Sequence, residues 1–72
     1  MEYPDALLII RHNIYILRLE KRWSQEKLAF AADIFRSYTG SIERGETGPN
    51  TFVYFKIVKA LEVNLETIMK GT

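Results

Sequence analysis

The sequence predicts an all-α domain of five short helices with tight connections. Three observations carry the prediction. Apolar residues recur at three- and four-residue spacing and never alternate in the two-residue rhythm of a strand. The capping residues Ser24, Asn50 and Asn64 each stand just ahead of an apolar run. The chain has 72 residues, room for one small core, so residues 1–72 are expected to form a single domain.

The first helix runs from Pro4 and Asp5, which suit a first turn, to about Lys21. Leu7, Ile10, Ile14 and Leu17 make its stripe; Leu8, Ile9, Tyr15, Ile16 and Leu19 widen it. A wide stripe ordinarily means a central core helix. The alternative is that its outer residues lie in a dimer interface. Ser24 caps the second helix, with Gln25 and Glu26 in the first turn and Leu28, Ala29 and Ala32 facing inward. Lys27 stands where Glu or Gln would complete a capping box. Asp33 ends the run.

The third segment, "FRSYTGSIERG", holds residues of low helix propensity. It is nevertheless amphipathic. Phe35, Tyr38 and Ile42 fall on one side of a helical wheel, and Arg36, Ser37, Gly40, Ser41 and Arg44 on the other. Packing of one face can override propensity. Gly45 is placed for a left-handed C-cap. After the turn cluster "ETGPNT", Asn50 caps a fourth helix from about Thr51 to Leu61. Its expected inward set is Phe52 or Val53, Phe55, Ile57, Val58 and Leu61. Asn64 caps a fifth helix carrying Leu65, Ile68 and Met69.

Composition narrows the function classes. Hydrophobic content of 47% with 26% charge describes a globular chain, not a disordered one. Cysteine is absent, which removes disulfides and thiolate metal sites. The lone His12 lacks the three or four ligands of a zinc site and reads as a surface or partly packed residue. "ALLII" is too short to span a bilayer, and the acidic Glu2 and Asp5 ahead of it argue against a signal peptide. A cytoplasmic protein with no membrane partner, no cofactor and no small-molecule ligand is the default. No nucleotide-binding or nucleophile-elbow motif occurs, and five short helices hardly enclose a catalytic pocket, so an enzyme is not expected.

The weak third helix then gains a purpose. Two helices joined by a tight turn, with a polar outer side on the second, form a helix-turn-helix. The major groove of B-DNA is about 12 Å wide and accepts one helix. A helix of about eight residues spans about 12 Å. Glycine and serine on the outer face let its backbone approach the bases. Arg36 can pair with guanine O6 and N7, and Ser37 and Ser41 can donate or accept beside it. Arg44, at the far end, suits a phosphate, as do Ser24 and Gln25 at the start of the second helix.

"LRLEKRWSQEKLAFAADIFRSYTGSIERGETGPN" resembles the Cro/C1-type helix-turn-helix family, the xenobiotic-response-element (XRE) regulators. The residues that carry the resemblance are Leu17-Arg18, Ser24-Gln25-Glu26, Leu28-Ala29, Tyr38, Ile42-Glu43-Arg44-Gly45 and Pro49. "KIVKALEVNLETIM" resembles the family's last two helices, so the likeness extends from about Ile10 to Met69. It implies a five-helix lambda-repressor-like DNA-binding domain and a sequence-specific transcriptional regulator. Such a regulator binds a roughly palindromic operator on double-stranded DNA as a homodimer, with the recognition helix over about 35–44.

Residue by residue, the resemblance implies base reading by Arg36, Ser37 and Ser41. It implies phosphate contacts by Gln25, Arg44, Thr47 and Asn50, and a structural ion pair between Arg18 and Glu43. Tyr38 is expected to pack in part, with its hydroxyl exposed toward the DNA backbone. The dimer interface is expected around Val63, Leu65, Ile68 and Met69, with outer residues of the first helix. "RSY" tilts the likeness toward restriction–modification controller proteins over small phage repressors. The competing class is an antitoxin or protein-interaction module that binds a partner protein and its own promoter. The starting Met and compact ending favour a complete minimal regulator over an excised domain.

Four positions depart from the family pattern. Asp33 and Glu62 stand where glycine is usual, Phe35 where Ser or Thr usually caps, and Thr39 where a branched aliphatic is usual. An uncapped third helix forfeits about 1 kcal/mol. A domain of modest stability, or compensation by the apolar first helix, is therefore expected.

Overall fold

The computed structural model describes residues 3–72, with side chains from Ala6 onward. Met1 and Glu2, and the side chains of Pro4 and Asp5, lie outside the described residues. The helices are α1 (Tyr3–Glu20), α2 (Gln25–Ala32), α3 (Arg36–Glu43), α4 (Thr51–Leu61) and α5 (Leu65–Met69). No strand occurs among the described residues.

Side-chain caps start three helices. Ser24 Oγ accepts from the Lys27 N–H, Asn50 Oδ1 from Val53 and Asn64 Oδ1 from Thr67, each at 3.0 Å. Each satisfies one of the amides a helix leaves unpaired at its start. Phe35 precedes α3 and supplies no such bond. Among the described residues, three non-glycine residues close turns in the left-handed region: Arg22 (φ 59°), Asp33 (φ 58°) and Glu62 (φ 62°). Asp33 and Glu62 hold the positions where the family pattern has glycine. Gly45, at φ 76°, follows α3 as expected of a left-handed cap.

The core takes residues from every helix: Ile10 and Ile14, Leu28 and Ala32, Ile42, then Ile57, Val58, Leu61 and Ile68. Burying one such aliphatic side chain is worth about 1.5–3 kcal/mol, so these contacts dominate the stability of so small a chain. α5 is tied to α1 as well, because Asn13 Nδ2 donates to the carbonyls of Ile68 (2.8 Å) and Lys70 (2.9 Å).

Three expectations are corrected. Phe55 is 54% exposed, and Tyr54 is partly buried beside it; of the alternatives Phe52 and Val53, Val53 packs against the core and Phe52 is 66% exposed. α4 turns Ile57, Val58 and Leu61 inward; Phe55, although three residues before Val58, falls at the outer edge of that face, and Phe52 falls on the opposite side. Phe35 does not anchor α3: it is 83% exposed. Its backbone is extended (φ −72°, ψ 144°), so helical periodicity does not reach it. Ile68 is 0% exposed and belongs to the core of the protomer, so its side chain is not on offer at an interface.

Candidate nucleic-acid interface

The turn between α2 and α3 sets the angle of the third helix. The Asp33 N–H donates to the Phe30 carbonyl (3.2 Å) and the Ile34 N–H to the Ala29 carbonyl (3.0 Å), while Lys56 Nζ on α4 donates to the Asp33 carbonyl (3.4 Å). Ile42 and Thr39 then point α3 into the core. The far end is clamped by charge. Arg18 Nε and Nη2 donate to Glu43 Oε2 (2.7 Å) and Oε1 (2.9 Å), a bidentate pair buried between α1 and α3. Arg18 Nη1 also donates to the Trp23 carbonyl at 2.6 Å, and Arg11 Nη1 to the Glu43 carbonyl at 3.2 Å. Glu43, an acid on α3, is thus turned inward and paired.

With one side of α3 committed to the core, the other lines an open polar cleft with α2. Its walls are Gln25, Arg36, Ser37, Gly40, Ser41 and Arg44. Arg36, Ser37 and Arg44 are exposed, while Ser41 and Gln25 are half-buried. Gln25 Nε2 donates to Glu43 Oε1 at 3.2 Å, linking the cleft to the buried pair. Arg44 folds back across Gly40. Its Nε and Nη2 donate to the Glu46 carboxylate at 2.9 and 3.1 Å, and Nη2 reaches Ser41 Oγ at 3.5 Å. This hydrogen-bonded guanidinium holds the Glu46 carboxyl below the usual carboxylate range, and the carboxylate raises Arg44 in return.

The remaining expected contacts sit at the rim. Ser24 is exposed and keeps its hydroxyl proton free to donate while its oxygen caps α2. Thr47 is half-buried, and Asn50 is exposed with its Oδ1 engaged in the cap of α4. Tyr38 is half-buried and lies outside the cleft, in an apolar recess with Asp33, Ile34 and Phe35. Val63 and Leu65 are half-buried against the core, whereas Met69 is 42% exposed.

Sequence reasoning missed two things here. Gly40 does more than thin the outer face: a Cβ there would come within 2.9 Å of Arg44 Nη1, so glycine makes the seat in which Arg44 lies. Glu46 is the second, a carboxylate competing for the cation expected to meet phosphate. The i, i+2 spacing of the two charges was its only sequence signal.

A helix-turn-helix family model matches residues 14–68, which takes in α2, the turn, the cleft and the whole of α4. The chain belongs to the helix-turn-helix family. Within it the chain is of the XRE type, with the five-helix fold, and is a DNA-binding transcriptional regulator. This family is not a class of enzymes. The control protein C.BamHI of Bacillus amyloliquefaciens is 38% identical over 66 residues, covering 90% of this chain and 82% of that one. The crystal structure of the restriction-modification controller protein C.AhdI from Aeromonas hydrophila superimposes with a TM-score of 0.84 at 32% identity, covering 86% of this chain and 94% of that one. A hypothetical transcription factor, NHTF, from Neisseria gives a TM-score of 0.87 at 26% identity over 96% of this chain and 79% of that one. These similarities favour the regulator over the antitoxin or interaction module. Among the described residues, no helix of this helix-turn-helix protein is long and apolar enough to cross a membrane.

Proposed function

We propose that this regulator binds a roughly palindromic operator as a homodimer and serves in the cytoplasm as the controller of a restriction–modification system. The observation that carries the DNA reading is the polar cleft itself, which gathers Gln25, Arg36, Ser37, Ser41 and Arg44 on one side of a helix whose other side is fixed in the core. The controller assignment is supported by the likeness to C.BamHI and C.AhdI.

In this reading α3 enters the major groove. Arg36, in its first turn, reads a guanine through O6 and N7, and Ser37 and Ser41 contact neighbouring base edges. Arg44 exchanges the Glu46 carboxylate for a DNA phosphate. Ser24, Gln25, Tyr38, Thr47 and Asn50 hold the backbone on either side and set the register. The two protomers meet through Met69 and the exposed edges of Val63 and Leu65, with outer residues of α1.

Selection of bound sequences from random duplex DNA, followed by titration at several salt concentrations, tests this. Arg36→Ala should relax preference at one position per half-site, a discrimination of about 1–3 kcal/mol for a bidentate contact. Arg44→Ala should weaken all sites alike and reduce the salt slope by about one. Parent-like binding by both variants would remove these assignments.

A further inference from the structure

Phe35 has no role in the reading above, and its surroundings call for one. It is 83% exposed, immediately ahead of Arg36, at the end of α3 that leads into the groove. Its backbone is extended, and its side chain makes no capping hydrogen bond. The position thus loses twice: an apolar ring stands in water, and an amide at the start of α3 goes without the side-chain acceptor that Ser or Thr would supply. Neither loss is returned by packing within the protein.

The local chemistry narrows what the ring can meet. Phe35 lines an open, mainly apolar recess with Ile34, Tyr38 and Asp33. The exposed carboxylate of Asp33 is 4.0 Å from Lys56 Nζ, a nearby counter-charge on α4. A benzyl group offers nothing to a phosphate. On a base edge it would strip water from donors and acceptors without replacing it, at a cost. The one feature of the major groove that rewards a hydrocarbon is the thymine 5-methyl group.

We propose that Phe35 is a specificity-determining residue that reads a thymine methyl group, one per half-site, beside the base pair read by Arg36. The residues that start a recognition helix contact base edges, and Phe35 and Arg36 stand together there. The pair combines a charged reader of guanine with an apolar reader of thymine. This inference rests on the proposal that α3 enters the major groove.

The test uses duplexes of the selected operator in which each thymine in turn is replaced by deoxyuridine, which lacks only the methyl group. Wild-type protein should lose roughly fourfold in affinity at one thymine per half-site, the factor expected from one buried methyl-sized group. Phe35→Ala should lose nothing further at that position while keeping the guanine preference. Phe30→Ala is the control: Phe30 is equally exposed, lies on α2 and does not line the recess. It should respond to deoxyuridine as wild type does.

Wild-type binding indifferent to every replacement overturns the inference without requiring any variant to fold. So does a Phe35→Ala protein that stays as methyl-sensitive as wild type. A Phe35→Ala protein whose self-association changes in sedimentation, with its thymine preference intact, assigns the ring to a contact between copies instead. Retained Arg36-dependent guanine preference in any of these cases leaves the groove reading standing. Loss of all sequence preference in the wild type sinks both.

Discussion

Arg18 and Glu43 form a buried charge pair in a chain with a very small core, and the two residues are not equally replaceable. Glu43 accepts from Arg18 twice and from Gln25 once, all through side chains. Removing Arg18 would leave a carboxylate enclosed between α1 and α3 and free the Trp23 carbonyl it also binds. Breaking one side of a buried pair costs about 3–5 kcal/mol, a large part of the stability a domain of this size has to lose. Arg18→Ala should therefore be largely unfolded or melt far below wild type in circular dichroism. The double variant Arg18→Met, Glu43→Leu should recover most of the loss, because it removes both charges and keeps the volume. Equal destabilisation by the single and double variants would show that packing, not charge, is at stake. The pairing itself was legible only through the family signature. Nothing in composition or periodicity distinguishes Glu43 from a surface acid, since its partner lies 25 positions away.

At the scale of elements, the helices most legible in the sequence were those with both a cap and an apolar stripe. Ser24, Asn50 and Asn64 marked their starts because a capping bond is local chemistry, decided within three residues. Faces were read less well. Ile57, Val58 and Leu61 were rightly expected inside, and of Phe52 and Val53 it is Val53 that packs inward; Phe55 entered the expected core because it is large and apolar, yet it is 54% exposed. In α3 the outer face was correctly polar, but the reason for Gly40 lay in a three-dimensional contact with Arg44 that no wheel displays. That contact makes a prediction in which stability and function part. Gly40→Ala removes a helix-interior glycine, a gain of about 0.5–1 kcal/mol. The new Cβ meets the far end of a flexible side chain, so the backbone need not move. Arg44 must move, however, and with it the bonds to Ser41 and Glu46. Melting should rise by about 2–8 °C, while affinity should fall for all DNA sequences and the salt slope should flatten. A lower melting temperature, or higher stability with unchanged DNA binding, would contradict this account of Gly40.

At the scale of the whole molecule, one protomer is too small and too weakly charged to act alone as proposed. Its extents are 31 × 21 × 20 Å and it presents one recognition helix, whereas successive major grooves on one face of DNA are about 34 Å apart. Its net charge of +1 provides little sequence-independent attraction to compensate. Two copies joined by a twofold axis answer both deficits, since the second half-site is then bound at high effective concentration. The proposed contact has only a few apolar atoms to work with. Ile68 is consumed by the core, and Val63 and Leu65 are partly so, which leaves Met69 as the most exposed apolar residue near the end of the chain. Met69→Glu places two like charges across the axis and leaves the core untouched. It should shift the protein to monomer in sedimentation at micromolar concentration. Affinity for the full operator should fall by roughly an order of magnitude or more, with affinity for an isolated half-site unchanged. If Met69→Glu instead remains a dimer with full operator affinity, the contact lies elsewhere. The exposed apolar residues of α1, Leu8, Tyr15, Ile16 and Leu19, then become the surface to substitute next.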